Sequence, residues 1–206
     1  VALAPWEPSY HRAASWAWLQ WVVRSDGDAR IGLPRAEMAL LAAREVRPGD
    51  FQTWAALGEL CGFWGEHLDP AKLALADAAY EQATALAPTN AMLYTAWGAL
   101  DLARGHYPEA QQRFAQALVL DQTDGYAFLH LGEAHLAQGH VAEALSAFEL
   151  AVHWEPGLAA AHAGLARCLW LQGRVVEAEL SLARALALDS TSPTGIALQR
   201  EMASTP

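Results

Sequence analysis

The chain has 206 residues, of which 53% are hydrophobic and only 17% are charged, and its formal net charge is −10. This composition excludes a disordered chain, and the uninterrupted apolar runs are too short to cross a membrane. The only lysine is Lys72 and the arginines are scattered, which argues against binding to nucleic acid or to an anionic membrane surface.

Residues 1–50 are predicted to form a divergent pair of helices. The first is rich in tryptophan and is expected over about residues 10–24. The second is expected over about residues 34–47, with Pro34 at its start, since proline is accepted in the first turn of a helix.

Three tryptophans, Trp16, Trp18 and Trp21, crowd the first of these helices. Because helical residues advance by about 100°, the three cannot all face one way, and at least one is expected at the surface. Packing of this helix on the helices that follow competes with a placement at a membrane interface, where tryptophan is favoured.

From residue 51 onward the sequence repeats itself with a period of 34 residues. Five series of positions share this period, among them the glycines Gly105, Gly139 and Gly173. The clearest unit, residues 125–158, consists of an apolar stretch, a Gly-His turn, a second apolar stretch and a Glu-Pro stop. This arrangement predicts antiparallel pairs of helices that stack on their neighbours.

Each distinctive residue of this unit has a physical role in such a pair. Gly132 has no Cβ, so the second helix can approach the first closely. Phe148 is expected to fill the space between one pair and the next. Gly139 can end the first helix with a positive φ, and Pro156 stops the second helix.

These positions resemble the consensus of the tetratricopeptide repeat (TPR). In residues 125–158 the consensus is matched by Phe128, Leu131, Gly132, His135, Ala144, Phe148, Ala151 and Pro156. Residues 91–124 follow the same pattern with Gln122 in place of the proline, and residues 159–192 follow it less closely.

Residues 51–90 match the same pattern with about six additional residues, which are predicted to form an inserted turn near residues 65–70. Residues 193–206 are predicted to form a short capping helix, over about residues 193–202, and a tail. The resemblance implies a single all-α domain over residues 1–206. That domain would be a right-handed superhelical solenoid of antiparallel helix pairs, with about 11 helices.

In the TPR family the first helix of each pair lines a concave groove, and the resemblance carries that role over to this chain. The groove candidates are Gln52, Glu59, Phe63, Met92, Thr95, Leu102, Tyr126, Leu129, Glu133, Leu136, Arg167 and Trp170. They are largely apolar and lack the clustered Lys, Arg and Asn with which relatives clamp a C-terminal carboxylate. An amphipathic helix or an extended apolar peptide of another protein is the implied partner. Alternatively, these residues pack on one another or on the terminal helix.

The sequence holds no recognised catalytic, phosphate-binding or metal-binding motif, so no catalytic residue, cofactor or metal is assigned. Its one compact polar cluster is formed by Glu66, His67 and Asp69, which are expected in a solvated loop. Cys61 and Cys168 predict neither a disulfide framework nor a zinc site.

The leading hypothesis is a non-catalytic scaffold that binds another protein. As an alternative, residues 64–90 resemble part of the C-terminal repeat region of bacterial O-antigen ligase or polymerase-like membrane proteins. In that case this segment is the soluble TPR domain of a longer enzyme tethered to a bacterial membrane, and catalysis lies outside the segment. A third hypothesis is self-association through the helix that carries residues 16–21 or through an uncapped end.

Overall fold

The computed structural model describes residues 7–24 and 28–204, and every regular element in these ranges is an α-helix. There are eleven helices in the described ranges: α1 (Pro8–Arg24), α2 (Ala29–Val46), α3 (Phe51–His67), α4 (Lys72–Leu86), α5 (Ala91–Ala103), α6 (Tyr107–Leu120), α7 (Gly125–Ala137), α8 (Val141–Trp154), α9 (Ala159–Leu171), α10 (Val175–Leu188) and α11 (Pro193–Ser204). No helix among them is long and apolar enough to cross a bilayer.

The chain divides into two compact units, Val1–Trp97 and Gly98–Pro206, and each is described by itself. In the first unit α1 packs on α2, α3 packs on α4, and α2 joins the two hairpins by packing on α3. In the second unit α7 pairs with α8 and α9 pairs with α10, and α8 packs on α9. The expectation of one domain over residues 1–206 stays a prediction.

The core of the first unit is built from leucine and alanine side chains of α2, α3 and α4, with Leu33, Leu40 and Leu60 almost fully buried. A charged contact joins the same three helices at the edge of this core. The ammonium group of Lys72 on α4 lies 2.7 Å from a carboxylate oxygen of Glu37 on α2 and 4.2 Å above the ring of Trp64 on α3.

An aromatic ring from the second helix of a hairpin lies against a glycine of its first helix. A methyl group at Gly132 would lie only 2.8 Å from the ring of Phe148, and one at Gly98 only 2.6 Å from the ring of Phe114. Any larger residue at these glycines would push the helices apart. The close approach predicted at Gly132 is therefore present.

The same rings reach the helix that follows. A methyl group at Gly164 on α9 would lie 2.5 Å from the Phe148 ring, and the Phe114 ring stacks on His130 of α7 with 5.7 Å between ring centroids. Each of these rings thus packs against two helices besides its own. This confirms the role that the sequence predicts for Phe148.

The three turn glycines have the conformation expected of them. Gly105, Gly139 and Gly173 have φ values of 77°, 78° and 76°. This left-handed conformation lets the chain leave the first helix and enter the second within three residues.

The second helix begins earlier than the sequence predicts. α2 begins at Ala29, where Asp28 caps it by accepting a 2.9 Å hydrogen bond from the backbone N–H of Arg30. Pro34, the expected start, lies inside the helix. The aspartate cap provides the stronger start signal here, because it satisfies a backbone donor that would otherwise be unpaired.

The inserted turn predicted near residues 65–70 is only partly present, because residues 68–71 form a turn but Gly65, Glu66 and His67 lie in α3. α3 has 17 residues whereas α5, α7 and α9 have 13, so most of the additional length extends the helix. This extra turn of helix packs closely on α4, because a methyl group at Gly65 would lie 2.5 Å from the side chain of Leu73.

The predicted terminal helix is present as α11, which covers the last pair. Leu198 is buried with Ala166 of α9 and Leu182 of α10, and Met202 packs against the same cluster. The helix extends two residues beyond the expected end, to Ser204.

Replacing Phe148 with alanine is expected to lower the free energy of unfolding by about 3–5 kcal/mol, because it empties a space between three helices. Urea unfolding followed by circular dichroism measures the change. The matched control is Leu150→Ala on the exposed side of the same helix, which should change stability by less than about 0.5 kcal/mol. Equal effects of the two substitutions would contradict this role of Phe148.

Candidate binding pocket

The second unit contains a pocket of about 560 Å³ between α7, α9 and α11. Most of its lining is apolar, and the lining residues are Glu133, Leu136, Ala137, Phe148, Ala160, Ala163, Gly164, Arg167, Leu171, Thr194, Ala197 and Leu198. Pockets of this size hold small ligands or the anchoring side chains of a peptide.

Small residues of α9 make the room for this pocket. Ala160, Ala163 and Gly164 occupy the side of α9 that faces it, where longer side chains would fill the space. Gly164 is small because the Phe148 ring lies directly against it. The residue that permits the close contact with the Phe148 ring thus also leaves room for the pocket beside that ring.

Charged groups stand only at the edge of the pocket. Arg167 on α9 donates to the carboxylate of Glu201 on α11, and the Glu133 carboxylate lies 2.8 Å from a ring nitrogen of His130. The first pair is well exposed, so it contributes at most about 1 kcal/mol to the docking of α11. The buried Leu198 contributes more.

Three of the predicted groove residues of this unit, Glu133, Leu136 and Arg167, line the pocket together. Tyr126 is exposed near the start of α7. Two others were expected in the groove but lie elsewhere. Leu129 is only 5% exposed and belongs to the core between α7, α8 and α9. Trp170 packs on the cluster of α9, α10 and α11 that also holds Leu198.

The remaining second-unit candidate, Leu102, lies half-buried in α5. The pocket wall formed by α11 agrees with the alternative that groove residues pack on the terminal helix. The α11 residues of this wall, Thr194, Ala197 and Leu198, follow the three- and four-residue spacing of a single helix face.

The groove candidates of the first unit differ in their exposure. Gln52, Glu59 and Met92 are exposed, and the Gln52 side chain accepts a 2.7 Å hydrogen bond from Arg12 of α1. Phe63 is half-buried and stacks on His67 at 4.5 Å, whereas Thr95 is buried. The expectation of a single groove through all the repeats stays a prediction.

In the polar cluster of Glu66, His67 and Asp69, the last two residues have structural roles. Glu66 and His67 lie in α3 and not in the expected loop. His67 bonds through Nδ1 to the carbonyl of Phe63 at 2.9 Å, and Asp69 accepts from the N–H of Ala71 at 3.1 Å. The first contact lies at the C-terminal end of α3, and the second lies just before the start of α4. In the described part of the chain, no three His, Cys, Asp or Glu side chains are grouped so as to hold a metal ion.

The fold and the pocket define an all-α helical-repeat protein, in which stacked hairpins present side chains of their first helices. Two models of one family match the sequence, each described as a tetratricopeptide repeat, over residues 95–158 and 135–201. Together they cover just over half of the chain. Residues 95–201 of the chain therefore contain tetratricopeptide repeats.

Solved structures with the same fold agree with this assignment. PilF of Pseudomonas aeruginosa is 22% identical, covers 95% of this chain and 84% of its own, and has a TM-score of 0.75. PilW, a type IV pilus biogenesis factor, is 17% identical with the same coverages and a TM-score of 0.77. YrrB is 18% identical, covers 91% of this chain and 90% of its own, and has a TM-score of 0.59. At these identities the likeness shows the TPR-like solenoid fold alone. No curated protein matches the sequence.

The two thiols are expected to be unreactive in the folded chain. Cys61 and Cys168 are free and buried, and burial raises the pKa of each thiol to about 11. Because the thiolate is the reactive form, a disulfide reagent at about pH 8 should label neither thiol until denaturant is added, and then both. A rapidly labelled thiol in the native chain would contradict this burial.

Proposed function

We propose that this chain is a non-catalytic scaffold that binds a peptide or helix of another protein in the pocket between α7, α9 and α11. The observation that carries the proposal is the pocket itself, where three sequence-predicted groove residues meet around an apolar interior. An apolar anchor side chain of the partner fits this interior, and polar groups at the edge fix the orientation of the peptide.

The size and the lining of the pocket support a side-chain anchor. The small residues Ala160 and Ala163 leave space beside Leu136 and Leu171, which form apolar walls. Inserting a leucine or an aromatic ring there removes apolar surface of both partners from water, which contributes about 25 cal/mol per Å². Such buried anchors provide most of the binding energy in typical interfaces.

The comparisons support a protein partner in general terms. YrrB is described as a TPR protein with an unusual peptide-binding site, which is a statement about that protein. The resemblance to O-antigen ligase-like proteins gains no support from the family models or from the structures named above. The O-antigen ligase-like parent therefore stays an alternative without a supporting observation. The same holds for a membrane tether.

Replacing Leu171 with glutamate is expected to weaken binding at least about tenfold, because it brings a charge into the apolar wall of the pocket. Peptides are first selected on the full chain from a displayed random library, and their affinities are then measured by fluorescence anisotropy. Ala160→Trp, which fills the pocket without adding charge, should cause a similar loss.

The matched control is Leu180→Glu on α10. Leu180 is 67% exposed and lies outside the pocket, whereas Leu171 is 51% exposed and lines it. The control should bind as the wild type does. Equal binding by all three variants, or failure of the selection to enrich any peptide, would remove the pocket as the binding site.

A further inference from the structure

The outer face of α1 is apolar and exposed. Tyr10, Ala17 and Trp21 are exposed on one side of this helix, whereas Trp16, which is 61% exposed, and Val23 are exposed on another side. From Pro8 to Arg24 the helix contains no aspartate or glutamate, although the whole chain has 23 of them and a net charge of −10. Exposed aromatic side chains in such a group mark an interaction surface more often than a solvated one.

The outer face of α11 shows the contrast. The exposed side chains of α11 include Gln199, Arg200, Glu201 and Ser204, so this face is polar where the corresponding face of α1 is apolar.

The opposite side of α1 is already engaged within its own unit. Ser15 is buried, Trp18 and Leu19 pack on the core formed with α2 and α3, and Arg12 pairs with Asp50. These contacts fix which face of α1 points outward. They also fix the position of that face in the unbound chain.

Glu7, immediately before α1, and five residues of α1 follow alternating spacings of three and four, the spacing of a helix–helix seam. The five residues of α1 are Tyr10, Ala14, Ala17, Trp21 and Arg24. The six residues are complementary to the same six residues of a second helix that runs in the opposite direction. In an antiparallel pair, acidic Glu7 faces basic Arg24, Tyr10 faces Trp21, and Ala14 faces Ala17. The alanines at the centre let the two backbones come close.

We propose that the outer face of α1 binds the same face of a second copy of this chain, as an antiparallel helix pair about a two-fold axis. Two-fold pairing uses one patch twice, so each copy supplies both members of every opposed pair. The two Glu7–Arg24 contacts at the ends select the antiparallel orientation. Antiparallel helix dipoles favour it as well.

The charges also favour a second copy over a lipid bilayer. An anionic bilayer repels Glu7 and the net charge of −10, and it offers nothing that pairs with Glu7. A second copy provides a complementary charge for each end of the helix.

The contact is small, which sets its strength. A helix of 17 residues is about 25 Å long, so one pair of such helices buries less area than the roughly 1,600 Å² of a standard interface. The dimer is therefore expected to dissociate on dilution in the micromolar range.

The test is sedimentation velocity of the full chain between about 2 and 300 µM, a range that spans micromolar dissociation constants. The wild type should shift from monomer to dimer. Ala17→Glu, at an exposed position in the centre of the seam, should remain monomeric while its circular dichroism spectrum is unchanged. Met38→Glu on α2 is the matched control, because Met38 is 60% exposed and lies outside the seam, and it should dimerise as the wild type does.

A charge exchange tests the orientation. Glu7→Arg alone and Arg24→Glu alone each create two like-charged contacts per dimer, and each should weaken dimerisation about 5- to 30-fold at low salt. The double variant restores opposite charges and should return to within about threefold of the wild type.

Four results would overturn the proposal. They are a monomer over the whole concentration range, a dimer that tolerates Ala17→Glu, a dimer disrupted by Met38→Glu, and single reversals that the double variant does not rescue. Co-flotation of the monomeric chain with phosphatidylcholine vesicles, abolished by Tyr10→Glu, would instead assign this face to a membrane.

Discussion

Three hairpins of this chain place an aromatic ring of the second helix directly against a glycine of the first. Tyr80 lies against Gly58, Phe114 against Gly98 and Phe148 against Gly132. The missing Cβ brings the helices of a pair together, and the ring that fills the gap is long enough to touch the next helix. Tyr80, for example, stacks on Trp97 at 6.1 Å. The same contact therefore sets the spacing within a pair and the spacing between pairs, which is why neither residue can change size independently.

The pocket is a consequence of this contact rather than an addition to it. Phe148 meets a glycine on both sides, because α9 carries Gly164 where α7 carries His130. α9 also has the small residues Ala160 and Ala163 beside Gly164, and the space next to these three residues is the pocket. In the last pair the aromatic is replaced by Leu182, which meets Ala166 and the Leu198 side chain of α11. The terminal helix can settle into this contact, and it closes the third side of the pocket.

Local signals made most of the fold predictable. The positive φ of Gly139 and the fit of Phe148 against Gly132 follow from residue type, and their 34-residue spacing shows in the sequence. The start of α2 was missed because Pro34 and Asp28 both resemble a helix start, and only the capping hydrogen bond decides between them. The site was harder to predict, because burial of a first-helix residue depends on helices far along the chain. Leu129 and Ala163 occupy the same position in their repeats, yet Leu129 lies in the core and Ala163 lines the pocket.

The two proposed surfaces lie in different units, so a substitution in one surface leaves the residues of the other unchanged. The α1 seam belongs to residues 7–24, and the pocket belongs to residues 133–198. A dimer formed through α1 would carry two pockets, and a partner that displays two copies of its peptide would bind the second intramolecularly. The effective concentration for that step reaches the millimolar range for short flexible connections, and it falls to nothing when the connection cannot span the sites. Weak association through α1 would then have a function of its own, since the avidity of the scaffold would rise with its concentration and fall on dilution without any change in the pocket.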